Sequence, residues 1–325
     1  VTAERAGVVV VGAGIAGTAC AAELLRAGVP VEVRDRARVP GGRMASRRLD
    51  DRPVDLGAAY FTVDDPDFAV VVRRWQAAGL AREWTDTFLA YGPDGRREVR
   101  GPTRWAAPGG LRSLVAQAAG ELPVTLERPV GAVGPGPTVD GHRHRAVALA
   151  MPGPQAARLL DPALTEAGRV ARGQRFAPVL AVVLRYPARC WPDFHGAFVN
   201  DHPVLTLVCD DGDRRGDQAS VLVAHTTSDF AAAHLSGPEA AGPAVARATA
   251  ELLGLTGAAE QVHVHRWTYA KPVAGPRLDG PGYHLDDEGV GLAGDAFSGR
   301  PRVQSAWLSG RDLGRALADR LTAVG

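Results

Sequence analysis

The chain has 325 residues, long enough for two domains, with 37 basic against 36 acidic side chains and a formal net charge of +1. That balance excludes nucleic acid or an anionic membrane as an organising partner, and no apolar run is long enough to span a bilayer. Cys20, Cys190 and Cys209 form neither a paired framework nor a metal-ligand spacing, which fits a reducing cytoplasm.

Arg5 followed by an apolar stretch has the look of a secretory leader. The glycines inside that stretch give it a folded role instead. Val8 to Val11 predict a buried strand, and Gly12-Ala13-Gly14-Ile15-Ala16-Gly17 turn it into a helix over Ile15–Ala27, closed by Gly28. In this strand–turn–helix context Gly12 permits the tight turn, Gly14 admits a pyrophosphate, and Gly17 lets helix and strand pack closely. The helix N-terminus offers free N–H donors to the phosphates. Val29–Val33 predict the next strand, ending near Asp35, an acid placed to hold a ribose hydroxyl. The segment is therefore read as a dinucleotide site.

A loop carries Gly41-Gly42-Arg43, and Asp55 to Phe61 read as a turn into a short strand. Phe68–Ala78 and Leu111–Ala119 predict helices; Val124–Val133 and Ala146–Met151 predict strands. Between these strands His142 and His144 flank Arg143 in an expected solvent-exposed loop. From Ala177 the texture changes. Val179–Leu184, Val204–Cys209 and Val221–His225 are strongly β, with Asp210–Asp217 as a polar loop. Pro238–Leu253 predict a helix. Gln261–Trp267 alternate, with Val262 and Val264 on one face and His263, His265 and Trp267 on the other. Gly291 to Asp295 form a short strand ending in an acid, and Val303–Leu321 a final helix. The middle strands lack intervening helices and predict a mostly antiparallel sheet. The expected architecture is α/β: a Rossmann-type dinucleotide domain interrupted by a sheet-rich domain. The ranges read from sequence are 1–62, 100–160 and 270–325 for the first, and 63–99 and 161–269 for the second.

Asp35 favours an unphosphorylated ribose, although Arg36 stands beside it. Two features favour FAD over NAD. Gly41-Gly42 let a loop cross the cofactor, with Arg43 available to a phosphate. Gly294-Asp295 place an acid for ribityl hydroxyls ahead of a helix whose N-terminus would stabilise a reduced flavin anion. His263 and His265 could share a metal on one strand face, but no third ligand stands at suitable spacing, so no metal is expected.

The stretches Gly42-Arg43-Met44-Ala45-Ser46-Arg47-Arg48 and Asp55-Leu56-Gly57-Ala58-Ala59-Tyr60-Phe61-Thr62 resemble the renalase-like branch of the flavin-containing amine oxidoreductases. Ala107 to Leu111, Met151 to Ala156, His265 to Ala270, Gly294 to Phe297 and Ala306 to Gly310 agree with it. The resemblance implies a two-domain fold of the p-hydroxybenzoate-hydroxylase type with non-covalent FAD. It implies oxidation of a dihydronicotinamide isomer (2- or 6-dihydro-NAD(P)) by hydride transfer to flavin, with molecular oxygen reoxidising the flavin to give hydrogen peroxide. By position, Gly12, Gly14, Ile15, Ala16, Gly17, Asp35, Arg36, Gly42, Arg43, Met44, Val130, Gly294 and Asp295 should carry FAD. Arg302, Val303, Gln304 and Ala306 should lie near the ring. Tyr60, His225 and Trp267 are candidates for the wall of a substrate cavity. Lys271, the single lysine, could position water for reoxidation, or could simply lie on a rim.

The chain departs from the family pattern at Ala59, Leu207, Phe230, Gln304 and Ser305, none of them a phosphate-binding glycine. Three alternatives therefore stay open on the same sequence: a flavin amine oxidase or biosynthetic-intermediate oxidase, a flavin-binding protein without turnover, and an NAD-dependent dehydrogenase.

Overall fold

The computed structural model describes residues 7–273 and 282–323; Arg5 lies outside them. Two compact units emerge, one built from 1–44, 115–176 and 272–325, the other from 45–114 and 177–271. The division differs from the ranges read from sequence. Residues 45–62, 100–114 and 270–271 group with the second unit, and 161–176 with the first.

The first unit holds a six-stranded sheet in the order Tyr283–Leu285, Val290–Ala293, Ala146–Leu149, Val8–Val11, Val31–Arg34, Val124–Thr125. All pairings are parallel except that of the edge strand Tyr283–Leu285. Val8–Val11 and Ala146–Leu149 are buried along their whole length, as expected of parallel strands covered on both faces. One face, with Val8, Val10 and Val33, packs on Ala21, Leu24, Leu313 and Leu317. The other, with Val9, Val11 and Val147, packs on Ala156, Ala167 and Ala171. The helices Ile15–Arg26 and Val303–Thr322 meet backbone to backbone. A Cβ on Gly310 would stand 1.9 Å from the Ala16 carbonyl oxygen, and one on Gly314 2.6 Å from that of Cys20.

The expected strand Val124–Val133 is interrupted. Only Val124–Thr125 and Val133–Gly134 are strands, and Glu127 between them has a left-handed φ of 52°. The histidine-rich loop is also corrected. Thr138–Val139 and His142–Arg143 pair as a small hairpin, leaving His142 exposed but His144 buried.

The second unit is a seven-stranded sheet in the order Gln261–Pro272, Phe176–Arg185, Val221–Thr226, Leu205–Asp210, Gly196–Val199, Arg82–Gly92, Gly95–Ala106. Phe176–Arg185 to Gly196–Val199 run antiparallel in turn, as does the final hairpin. Gly196–Val199 and Arg82–Gly92 are parallel. The helix Gly242–Leu253 covers one face, setting Val245, Ala248 and Leu253 among Leu180, Val182, Leu222 and Ala224. Alternate residues Ala181, Val183, Val221 and Val223 turn to the opposite face, beside Val54 and Leu56.

The segment read as a polar loop is mostly helical. Asp211–Arg215 form a helical turn in which Asp211, Arg214 and Arg215 are buried. Asp211 stands three and four residues before two arginines, the spacing at which helical side chains meet.

Candidate functional site

The candidate flavin residues all fall in the first unit. Gly12 takes φ +113° at the strand end; a Cβ there would sit 2.6 Å from the Ala150 carbonyl oxygen, and one on Gly17 1.8 Å from that of Gly12. The chain's own backbone thus explains both glycines. Gly14 is different. It caps the helix Ile15–Arg26 without a side-chain hydrogen bond. A Cβ on it would meet only the Gly42 Cα at 4.0 Å, and one on Gly42 only the Gly14 Cα at 3.5 Å. Two glycines therefore face each other over uncapped helix N–H groups. Gly41 ties this second turn to the first by donating its N–H to the Ala13 carbonyl at 3.0 Å.

Asp35 follows the strand Val31–Arg34. Its Oδ2 accepts from the Ala13 N–H at 2.7 Å and its Oδ1 from the Ala37 N–H at 2.8 Å. The acid braces the glycine turn while keeping lone pairs for a further donor. Arg36 beside it is exposed. Arg43 and Asp295, distant in sequence, form a two-pronged ion pair: Nη1 to Oδ2 at 2.9 Å and Nη2 to Oδ1 at 2.6 Å. Arg43 also lies 5.4 Å from the Phe176 ring centroid. The Gly294 N–H donates to Ser309 Oγ at 2.9 Å, which fixes the strand end to the final helix. Arg302 stands at the N-cap of that helix and makes no capping side-chain hydrogen bond, and Val303, Gln304, Ser305 and Ala306 are buried in its first turn. Met44 and Val130 are both buried: Met44 closes the Gly42–Met44 turn, and Val130 packs with Val133 and Leu160.

These residues fit FAD. Uncapped N–H groups and an open glycine pair suit a pyrophosphate, and an acid at a strand end suits a ribose.

The substrate-wall candidates all fall in the second unit, on the sheet face away from Gly242–Leu253. His225 pairs in register with Ala181 on one side and Leu207 on the other, and Leu207 with Phe198; directly opposed residues share a face. Tyr60 meets Phe88 edge-on at 5.4 Å between ring centroids. Trp267 donates from Nε1 to the Leu56 carbonyl at 2.6 Å and lies 4.7 Å from the His265 ring. Ala59 and Leu207 belong to one cluster with Tyr60, Trp84 and Phe88. Phe230 does not join them; it packs on the helix-covered face and stacks on His234 at 4.3 Å. Burial, with Lys271 and Arg214 adding, pushes His225 down to about 3, so its imidazole is neutral. Burial raises the Tyr60 hydroxyl, against the opposing influence of Arg104, and lowers Lys271. Among the described residues no group of three or more His, Cys, Asp or Glu could hold a metal ion.

Sequence reading missed a buried ionic network behind this face. Asp55 accepts from Ser46 Oγ and from the Leu111 N–H at 2.8 Å, capping the helix Leu111–Gly120, and pairs with Arg215 Nη2 at 3.0 Å. Asp211 is shared by Arg214, Arg215 and Arg52. Arg214 Nη1 donates to the Ala59 carbonyl at 2.8 Å, so the network fixes the loop that carries Tyr60. The charge spacing Asp211, Arg214, Arg215 was its available signal.

Comparison with known proteins agrees with this arrangement. Residues 10–75 match the NAD(P)-binding Rossmann-like domain, and residues 75–317 match the flavin containing amine oxidoreductase family. A 56-residue stretch is 48% identical to hydroxyneurosporene desaturase of Rubrivivax gelatinosus, spanning 17% of this chain and only 11% of the desaturase. The fold is similar to that of cyclohexylamine oxidase from Brevibacterium oxydans (TM-score 0.77, 15% identity, 98% of this chain and 99% of that one). It is also similar to a putrescine oxidase solved with putrescine (TM-score 0.73, 16% identity, the same coverage). Among the described residues no helix is long and apolar enough to cross a membrane. A Rossmann-type unit, a sheet-rich unit and a family match over most of the length place the chain in the flavin-containing amine oxidoreductase family, with FAD as its cofactor.

Proposed function

We propose that this protein oxidises a dihydronicotinamide isomer, 2- or 6-dihydro-NAD(P), to the aromatic nucleotide. Bound FAD supplies the hydride acceptor, and molecular oxygen takes the two electrons on to hydrogen peroxide. The first unit would hold FAD. Its pyrophosphate would lie at the N-terminus of Ile15–Arg26 against Gly14 and Gly42, its ribose at Asp35, and its remaining polar groups near Arg43, Gly294 and Asp295. The second unit would present the substrate.

The carrying observation is the character of the Tyr60–His225–Leu207–Trp267 face. It offers a neutral imidazole, an un-ionised phenol and apolar walls, and no charged base among those four residues. Hydride transfer from a dihydropyridine needs no base. It needs a substrate carbon held about 3–3.5 Å from its acceptor in a dry, oriented site. On this reading Tyr60 and Trp267 orient the ring, while His225 and Leu207 exclude water. The renalase-like motifs around Arg43 and Tyr60 point to the same chemistry.

The test is anaerobic mixing of the FAD-loaded protein with 6-dihydro-NADH. Rapid loss of the oxidised-flavin absorption band is expected, with one equivalent of peroxide formed per turnover once oxygen is admitted. A band that stays unchanged refutes the proposal. A second reading, oxidation of a small amine, is favoured by Ala59 and Leu207 standing together where the family pattern differs, and by the likeness to amine oxidases. Peroxide from an amine panel, with none from dihydronicotinamides, would select it.

A further inference from the structure

His263 and His265, which lack a third ligand for a metal, have an arginine beside them. Arg47 lies opposite Val54 in the hairpin of Ser46–Leu49 and Arg52–Asp55, and Val54 packs among Ala181 and Val183 of the large sheet. Directly opposed residues share a face, so Arg47 is turned toward that sheet. Its Nη1 lies 3.2 Å from Nε2 of His263. Arginine can only donate, so His263 accepts there and carries its proton on Nδ1. His265 follows on the same face of Gln261–Pro272, its ring 4.7 Å from that of Trp267. Arg47 is exposed and both histidines are half-buried, so a ligand can reach all three.

Among the described residues no carboxylate forms an ion pair with any of them, and the bond to His263 is the only one the Arg47 side chain makes. Burial and Arg47 hold His263 below the ordinary histidine value, with Glu239 opposing; burial, His263 and Arg47 do the same to His265. Three groups able to carry positive charge are thus gathered where each disfavours the charge of the next. An arginine that needed only water would gain nothing from that company. A bound polyanion reverses the balance, because each proton is then favoured. Placement is a second argument. At about 3.3 Å per residue, His265 and His263 stand ~7 Å and ~13 Å along the strand from Trp267. One ribose followed by a diphosphate covers that stretch from a pyridine ring.

We infer that Arg47, His263 and His265 hold the phosphates of the substrate's nucleotide tail while its dihydropyridine ring lies at Trp267. The inference takes the place of the ring from the proposed reaction; the phosphate contacts stand on the geometry of the three side chains. Arg47 supplies a fixed charge and the N–H donors that the protein leaves unused. His263 and His265 take up protons from solvent as the phosphates arrive. Glu239 opposes the anion but favours the proton on His263.

The test uses the FAD-loaded full chain and titration calorimetry, which needs no turnover. The probes are nicotinamide riboside, its 5′-monophosphate and NAD⁺. The monophosphate is expected to bind about tenfold or more tightly than the riboside at pH 7.5, the worth of one charged hydrogen bond. Arg47→Gln should remove most of that preference, and Arg47→Lys should keep part of it. The NAD⁺ diphosphate does not titrate between pH 6 and 8, so tighter NAD⁺ binding at pH 6 than at pH 8 reports protons taken up by the protein. The double variant His263→Gln, His265→Gln should lose that dependence. Equal binding of riboside and monophosphate, binding of neither, a preference unchanged by Arg47→Gln, or NAD⁺ affinity that does not change with pH would each overturn the inference. The wild-type comparisons decide even if a variant fails to fold. Phosphate preference without flavin reduction by 6-dihydro-NADH would refute the proposed reaction and leave the phosphate site standing. Flavin reduction without phosphate preference would do the reverse.

Discussion

Replacing Asp211 by asparagine removes the carboxylate that three arginines share. Burial alone would raise its pKa, but Arg214, Arg215 and Arg52 outweigh it and bring the group from 3.8 to about 2. A pKa lowered in the folded state stabilises the fold above the unfolded value and loses that contribution as pH falls through the folded value. At about 1.4 kcal/mol per unit, Asp211 contributes on the order of 2 kcal/mol at neutral pH. By pH 3 roughly half of that, about 1 kcal/mol, should be gone. Asp211→Asn also strands buried guanidinium groups, for which breaking a buried pair costs about 3–5 kcal/mol. Urea unfolding of wild type and variant, followed by tryptophan fluorescence, should therefore show a gap of about 3–5 kcal/mol at pH 7 that narrows by about 1 kcal/mol at pH 3. A gap below about 1 kcal/mol at pH 7, or one that does not change with pH, would mean that the network contributes no more than surface pairs do.

Three further outcomes follow from the same geometry. Gly14→Ala meets no protein atom closer than 4.0 Å, so the variant should fold while FAD affinity falls by about tenfold or more, read by quenching of flavin fluorescence; unchanged affinity would remove Gly14 from the cofactor site. Gly17→Ala, whose Cβ would stand 1.8 Å from the Gly12 carbonyl oxygen, should instead cost folding itself, on the order of the 3–5 kcal/mol of the worst core substitutions, measured by thermal unfolding without cofactor. His225, held to about 3 by burial, stays neutral from pH 5 to 9, so the rate of anaerobic flavin reduction should show no inflection that His225→Gln removes; an inflection near pH 6 lost in that variant would contradict the burial assigned to it.

Elements whose cause is local were legible. The strand Val8–Val11, the helix behind it and the final helix lie within two residues of their expected bounds, because four β-branched residues, a glycine turn and a leucine period each act over short range. Alternation in Gln261–Trp267 placed Val262 and Val264 correctly: both stand near Gly242 on the helix-covered face. Where several residues had to be read together the pattern failed. Val124–Val133 is apolar at both ends, yet Pro129 and the left-handed Glu127 divide it. Asp210–Asp217 is polar enough for a loop, yet its charges neutralise one another inside the fold, which no composition rule can show.

The same distinction separates the flavin candidates of the first unit from the substrate-wall candidates of the second. The former rest on glycines whose spacing is fixed by one turn, so that Gly12 and Gly17 can be assigned from sequence and then explained atom by atom through the Ala150 and Gly12 carbonyls. The latter have no such spacing. His225, Leu207 and Phe198 come from three strands and share a face only because their register matches, and Arg104 reaches Phe88 and Tyr60 from a fourth. Each alone is an ordinary strand residue. A register-dependent face is also the place where substitution can change chemistry at little cost to folding. Ala59 and Leu207 lie on that face, in one cluster with Tyr60, Trp84 and Phe88, whereas Gly12 and Gly17 are required by the backbone itself.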